Sequence, residues 1–391
     1  MNSIDILDVL VSLPTVSGTS NADLVDWVEA YLLERNAQVR RVPGPNPGTW
    51  NLWATLGPDD VPGILLSGHS DVVPVDGQKW NSAPFALTRQ GDRLYGRGTA
   101  DMKGFLACAL TAFDRAARTD NVPLAAPLHL ALSCEEEVGC VGVRTLLPEL
   151  KHLPVQPYLC IIGEPTDMRC ATGHKGKIAA RARCYGRSAH SAMPMQGVNA
   201  IYLAADFISA IRLVQAWIEQ QGVHDVAFTV PWSTLHVGTI TGGTALNIVP
   251  ERCEVDFELR SVPGEDTQAI IDRLYDAARR ISADHGTTFP DARIEIEIVN
   301  AYPGLSTNDG EWSQFLASVT GTNSDVKLAF GTEGGLFAQA LDSTTVLVCG
   351  PGSMDQGHKP DEFVEIDQMD RCDAMLDRVI ARLREGPGTS A

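Results

Sequence analysis

Short apolar runs that end in histidine or acid recur along the first half of this chain, and they restrict its fold more than any other feature. Gly63-Ile-Leu-Leu-Ser-Gly-His-Ser-Asp closes on His69 and Asp71. Pro127-Leu-His-Leu-Ala-Leu-Ser-Cys delivers Glu135, Glu136 and Glu137, and Tyr158-Leu-Cys-Ile-Ile-Gly delivers Glu164. Runs this short, branched and bounded by glycine or turn residues read as buried strands. Helical patterns lie between them, near residues 4–13 and 21–36 and after Asp101. The alternation predicts an α/β fold with a mainly parallel sheet flanked by helices, whose strands point their carboxyl ends into a crevice.

The residues at those ends suit two divalent ions. A histidine nitrogen is a good zinc ligand, and a carboxylate two positions on, as in His69-Ser-Asp71, could accept the other ring N–H and aim the imidazole. Asp101 follows the glycine-rich Tyr95-Gly-Arg-Gly-Thr-Ala and opens a helix. Alone it reads as an N-cap, but a carboxylate can also bridge two cations about 3.5–4 Å apart. In the acidic run, one glutamate can hold metal while its neighbour serves as base, and Glu164 repeats the strand-end pattern. His358, in Gly350-Pro-Gly-Ser-Met-Asp-Gln-Gly-His-Lys-Pro, offers a ligand from far along the chain. Amide hydrolysis fits such a set, because divalent ions polarise a carbonyl and activate water while a carboxylate with raised pKa moves the proton.

The second half of the chain changes pattern. A strand from Lys177, a helix from Asn199 to about Glu219, strands near 233–240 and 253–260, a helix from Asp266 to His285 and the strand at Ile294 spell β-α-β-β-α-β. That order predicts a ferredoxin-like α+β domain over residues 176–300, inserted into a catalytic domain formed by 1–175 and 301–391. Two domains fit 391 residues. A net charge of −18 argues against nucleic-acid or anionic-membrane partners. No apolar run approaches the ~18 residues of a membrane span, and the acidic start Met1-Asn-Ser-Ile-Asp is unlike a signal peptide, so a cytoplasmic enzyme is expected. The nine cysteines, an odd number without a Cys-x-x-Cys pair, fit reduced thiols.

These stretches resemble the M20 metallopeptidase and deacylase family. The matching segments are Ser67-Gly-His-Ser-Asp-Val-Val-Pro, Gly96-Arg-Gly-Thr-Ala-Asp-Met-Lys-Gly, Ser133-Cys-Glu-Glu-Glu-Val-Gly, Gly163-Glu-Pro-Thr, Gly186-Arg-Ser-Ala-His-Ser-Ala and Gly350-Pro-Gly-Ser. The resemblance implies two bound zinc ions, with cobalt as the other candidate. Asp101 would bridge them, His69 and Glu164 would complete one site, and Glu136 and His358 the other. Glu135 would be the general base, Asp71 would orient His69, and His190 would stabilise the oxyanion. Asn247 and Arg260 would bind the substrate, and Thr332 and Glu333 would read its amino-acid part. Residues alone leave His190 open to being a surface-loop histidine, Arg260 a partner for an acid, and Asn247 a turn cap.

The resemblance also implies a homodimer formed through 176–300, which would act as a lid, and an N-acyl amino acid as the small-molecule substrate. The Gly331-Thr-Glu-Gly-Gly segment resembles the form found in the family's branch that acts on N2-acetyl-L-ornithine, and that resemblance implies cleavage to ornithine and acetate for arginine synthesis. The alternatives are another family activity, such as succinyl-diaminopimelate desuccinylation or dipeptide hydrolysis, and a non-catalytic binding protein.

Overall fold

The computed structural model describes the chain except residues 119–121, 287, 308–309, 322–325 and 387–391. It divides into two compact units, one of Met1–Gly173, Leu305–Leu328 and Thr332–Ala391, the other of His174–Gly304 with Ala329–Gly331.

The first unit is built on a nine-stranded sheet. Its centre is parallel: Ile64–His69 lies between Leu128–Ser133 and Leu159–Ile162, and Thr345–Val348 continues the parallel set beyond Leu159–Ile162. Antiparallel strands Trp50–Leu56 and Gln38–Pro43 extend one edge. All six residues of Ile64–His69 and all six of Leu128–Ser133 are buried. Burial on both faces explains why these strands are near-continuous apolar runs and not alternating patterns. Helix Gly104–Ala116 and the segment leading into it pack against the sheet so closely that a side chain at either of two glycines would displace a neighbour. A Cβ on Gly68 would lie 2.8 Å from Met102 Cε, and one on Gly163 would fall 1.9 Å from the ring carbons of Phe105. These two residues immediately precede His69 and Glu164, so tight packing under the sheet sets the height of two site residues.

The second unit is a four-stranded antiparallel sheet in the order Thr234–Gly242, Arg252–Ser261, Gly176–Tyr185, Arg293–Tyr302. Helices Ala200–Gln221 and Thr267–Gly286 follow its first and third strands in sequence, which is the ferredoxin-like arrangement. Alternation along Gly176–Tyr185 sends Ala180, Ala182 and Cys184 into the apolar core. It leaves Arg181 paired with Asp256 at 2.6 Å and Arg183 with Glu297 at 2.6 Å on the opposite face.

Helix Ala200–Gln221 is long and apolar enough over 18 residues to cross a membrane by length and composition. Its apolar side, Leu203, Phe207, Ile211, Val214 and Ile218, is instead buried in the core of the second unit. All nine cysteines are buried and none is in a disulfide.

Replacing Gly163 with alanine forces the Phe105 ring to move, and overpacking of this kind destabilises by about 1–3 kcal/mol. Gly163→Ala should therefore show a lowered denaturation midpoint. An unchanged midpoint would mean that the ring yields freely and that packing does not set the height of this strand end.

Candidate metal centre and active site

Five segments of the first unit converge on one acidic cluster. His69 ends its strand fully buried, and its Nε2 lies 3.0 Å from Asp101 Oδ1 and 3.9 Å from Glu164 Oε1. The other oxygen of Asp101, Oδ2, lies 3.2 Å from His358 Nε2, which also approaches Glu137 Oε2 at 2.9 Å. One carboxylate thus faces two imidazoles, one on each oxygen. Ligand atoms of His69, Asp101 and Glu137 lie within 4.8 Å of one another, as do those of His69, Glu136 and Glu164.

Along the acidic run the placement of the side chains differs by one residue from the arrangement expected from the sequence. Glu137, not Glu136, stands beside Asp101 and His358. Glu135 is buried and turned away: its Oε1 accepts the Gly18 amide at 2.9 Å and its Oε2 the Asn46 side-chain amide at 3.2 Å. The cause is local. Glu135 adopts φ +54°, in the left-handed region, and the chain turns there so that the next two carboxylates point inward. Glu136, like Glu137, is half-buried, and its carboxylate accepts only a thiol contact from Cys140, at 3.2 Å, among the interactions described. Glu137 Oε1 is buried without a hydrogen-bond partner among the described residues.

Asp71 also acts differently from the expectation. Its backbone carbonyl, not its carboxylate, takes the His69 Nδ1–H, at 2.9 Å, while the nearest carboxylate oxygen is 3.6 Å from that nitrogen. The carboxylate instead accepts the amides of Glu136 and Glu137 at 3.0 and 3.2 Å and the Ser17 hydroxyl at 2.8 Å. Asp71 therefore fixes both the tautomer of His69 and the turn that aims the two glutamates.

Burial and mutual repulsion dominate the electrostatics. Burial pushes Glu136 up to about 8 and Glu137 up to about 7, with Asp101 adding to each. Burial, then the charges of Asp101 and Glu136, lifts Glu164 well above the carboxylate range. Asp101 runs the other way: despite burial, hydrogen bonds from His358 and His69 hold it below the ordinary value. His358 is raised to about 10 by its contacts with Asp101 and Glu137. Without a cation, the cluster keeps protons to relieve its negative charge. Two imidazoles, four inward carboxylates and one orphaned buried oxygen form a donor set that fits two divalent cations better than protons.

Thr332 and Glu333, expected to read the substrate, are both buried in this unit. The Thr332 hydroxyl accepts the Gly334 amide at 2.9 Å at the start of a helix. Burial pushes Glu333 up to about 7 against the pull of the Ser133 hydroxyl.

The remaining expected residues belong to the second unit. His190 and Asn247 are exposed on adjoining loops: His190 bridges to Ile248, and the Ser191 amide donates to the Asn247 carbonyl at 3.1 Å. The Ala192 amide donates to His190 Nδ1 at 3.0 Å, which leaves the proton of a neutral ring on Nε2, free to donate. Arg260 is paired with Glu258 at 3.0 Å.

Sequence reasoning missed two residues that shape the cluster. Glu137 was visible as the third glutamate of the run. Glu362 carried no signal, because three of its four partners are backbone amides: both its oxygens hold the loop that carries Asp101, with the amides of Ala100 and Asp101 at 2.9 and 3.1 Å and that of Gly98 at 3.1 Å.

Residues 65–382 match the model of Peptidase family M20/M25/M40. The chain is 36% identical over 371 residues to an acetylornithine deacetylase of Salmonella typhimurium, covering 93% of this chain and 92% of that protein. Its fold is shared with a tripeptidase from Staphylococcus aureus, at TM-score 0.78 and 19% identity over 98% of both chains. A dinuclear metal-binding M20 peptidase from Bacillus subtilis matches at TM-score 0.69 and 15% identity, again over 98% of both chains. With the family model matching most of its length and the metal-capable residues gathered at the ends of its parallel strands, this chain is a member of peptidase family M20/M25/M40.

Proposed function

We propose that the protein removes the acetyl group from N2-acetyl-L-ornithine, giving ornithine and acetate, as a hydrolase that works with two divalent cations. The observation that carries the two-cation reading is Asp101, with its two oxygens 3.0 and 3.2 Å from histidines on opposite sides. The substrate rests on the acetylornithine deacetylases that the chain resembles over most of its length. His69, Asp101 and Glu164 would hold one cation, and Asp101, Glu137 and His358 the other. Imidazole and carboxylate donors suit Zn²⁺, with Co²⁺ competing according to supply. Bound there, the cations would polarise the amide carbonyl and make the attacking water more acidic.

The chain's own residues supply the rest. Glu136 is the base in this reading, in place of Glu135. It is half-buried and its carboxylate is engaged only by a thiol among the described residues. Burial lifts it toward neutrality, so it can take a proton from water and return it to the departing amine. His190, with Nε2–H free to donate, serves the oxyanion. Asn247 and Arg260 hold the substrate's carboxylate end, since a guanidinium fork matches a carboxylate. Residues 176–300 act as the lid and as the surface through which two copies pair, and the enzyme works in the cytoplasm, in arginine synthesis.

The assay is hydrolysis of N2-acetyl-L-ornithine beside N-succinyl-diaminopimelate and a dipeptide, using Zn²⁺-loaded protein. Ornithine release should exceed turnover of the other two, and preference for either of them would move the activity elsewhere in the family. Glu136→Gln should lower kcat by about 10²–10⁴, while Glu135→Gln, which alters only loop contacts, should stay within about tenfold of the wild type. The reverse ranking would return the base to Glu135.

Cation binding must also depend on pH. Glu136, Glu137 and His358 carry raised pKa values, about 8, 7 and 10, so the cation-free cluster holds protons at pH 7 that binding displaces. Affinity should therefore fall as pH falls, by about tenfold per pH unit for each proton released. Chelator-competition titrations with Zn²⁺ at pH 8 and pH 6 measure this directly, and equal affinities would contradict it.

A further inference from the structure

Two segments distant in sequence bring Asp101 and His358 together, and one buried carboxylate joins them. Glu362 Oε1 accepts the amides of Ala100 and Asp101 at 2.9 and 3.1 Å, and Oε2 accepts the Gly98 amide at 3.1 Å and Arg97 Nη1 at 2.6 Å. Four donors meet the four lone-pair sites of a carboxylate, and both side chains of the Arg97–Glu362 pair are 1% exposed. Arg97 carries the link onward. It donates to the Lys359 carbonyl at 3.2 Å and to Gln78 Oε1 at 2.5 Å, and the Gln78 amide donates to the His358 carbonyl at 3.0 Å. The Gly96 amide adds a main-chain bond to the Glu362 carbonyl at 2.9 Å. His358 itself takes φ +63° and is half-exposed, so its placement depends on what holds its backbone.

We propose that Glu362, through Arg97 and Gln78, is the positioning residue that sets Asp101 and His358 at the spacing required by the second cation site. The proposal deepens the two-cation reading and rests on it. Glu362 touches neither substrate nor cation. It orients the peptide that carries Asp101 and, by the Arg97–Gln78 relay, the one that carries His358. The Arg97 guanidinium offsets the Glu362 charge, so the brace adds no net negative charge beside a cluster that is already acidic. A carboxylate is required because all four partners donate. In Glu362→Gln an NH₂ group would face two of those donors, and in Glu362→Asp the shorter arm could not reach all four.

The experiment is chelator competition with Zn²⁺ on the full chain, resolving the two binding steps, together with kcat and KM for N2-acetyl-L-ornithine. In Glu362→Gln the weaker Zn²⁺ step should lose about 10–100-fold in affinity, as removal of a group that orients a metal ligand does. KM should change less than kcat. Arg115→Gln, which breaks the ion pair with Asp373 elsewhere in the unit, is the control for general destabilisation and should bind Zn²⁺ as the wild type does. Glu362→Asp should fall between Gln and the wild type, and it carries the test if Glu362→Gln does not fold. Wild-type Zn²⁺ affinity in the Glu362 variants, or an equal loss in Arg115→Gln, would overturn the proposal. Failure of the wild type to release ornithine would overturn the functional reading instead, while the Zn²⁺ affinities would still decide the role of Glu362.

Discussion

Asp101 between two histidines is the contact on which the site depends. Its oxygens face His69 on a central strand and His358 on a loop more than 250 residues later, so one carboxylate joins site residues from distant parts of the first unit. Around it, Glu136, Glu137 and Glu164 are pushed toward their protonated forms by burial. Such crowding of like charges is destabilising unless cations or protons answer it. The fold supplies the rigidity that keeps the cluster from dispersing. Strands buried on both faces end in His69 and Glu164, each preceded by a glycine pressed against the underlying helix or the segment leading into it.

Neutralisation also explains the residues that touch no ligand. Asp71 places its carboxylate on the amides of Glu136 and Glu137 and so turns them inward. Glu362 does the same for the Asp101 loop, with Arg97 balancing its charge. Both use carboxylates to collect backbone N–H groups, which need no sequence partner of a particular type. The inward-facing acids are therefore held by other acids, and the site's geometry is set one layer away from the chemistry.

Much of this was legible in the sequence, for physical reasons that can be named. His69 and Glu164 were visible because each ends an apolar run whose burial demands a strand, and Asp101 because a glycine-rich loop hands it to a helix. The second unit was visible because its strands alternate and its helices are amphipathic, and the observed sheet order follows from the β-α-β-β-α-β succession. The acidic run was misaligned by one because Glu135, Glu136 and Glu137 are chemically identical. Only the turn at Glu135 and the cap from Asp71 decide which two point inward, and both are tertiary. The burial of Thr332 and Glu333 was not legible for a related reason, since no pattern in Gly331-Thr-Glu-Gly-Gly reveals that the helix it starts is buried.

On the proposed reading one carboxylate, Asp101, is shared by two cation sites whose remaining ligands are His69 with Glu164 and Glu137 with His358. Anomalous diffraction at the zinc edge from crystals of the Zn²⁺-loaded protein tests this most directly. Two peaks should flank Asp101, about 3.5–4 Å apart, with Glu137 bound and Glu136 outside both coordination spheres. A single peak, or Glu136 in the place assigned to Glu137, would contradict it.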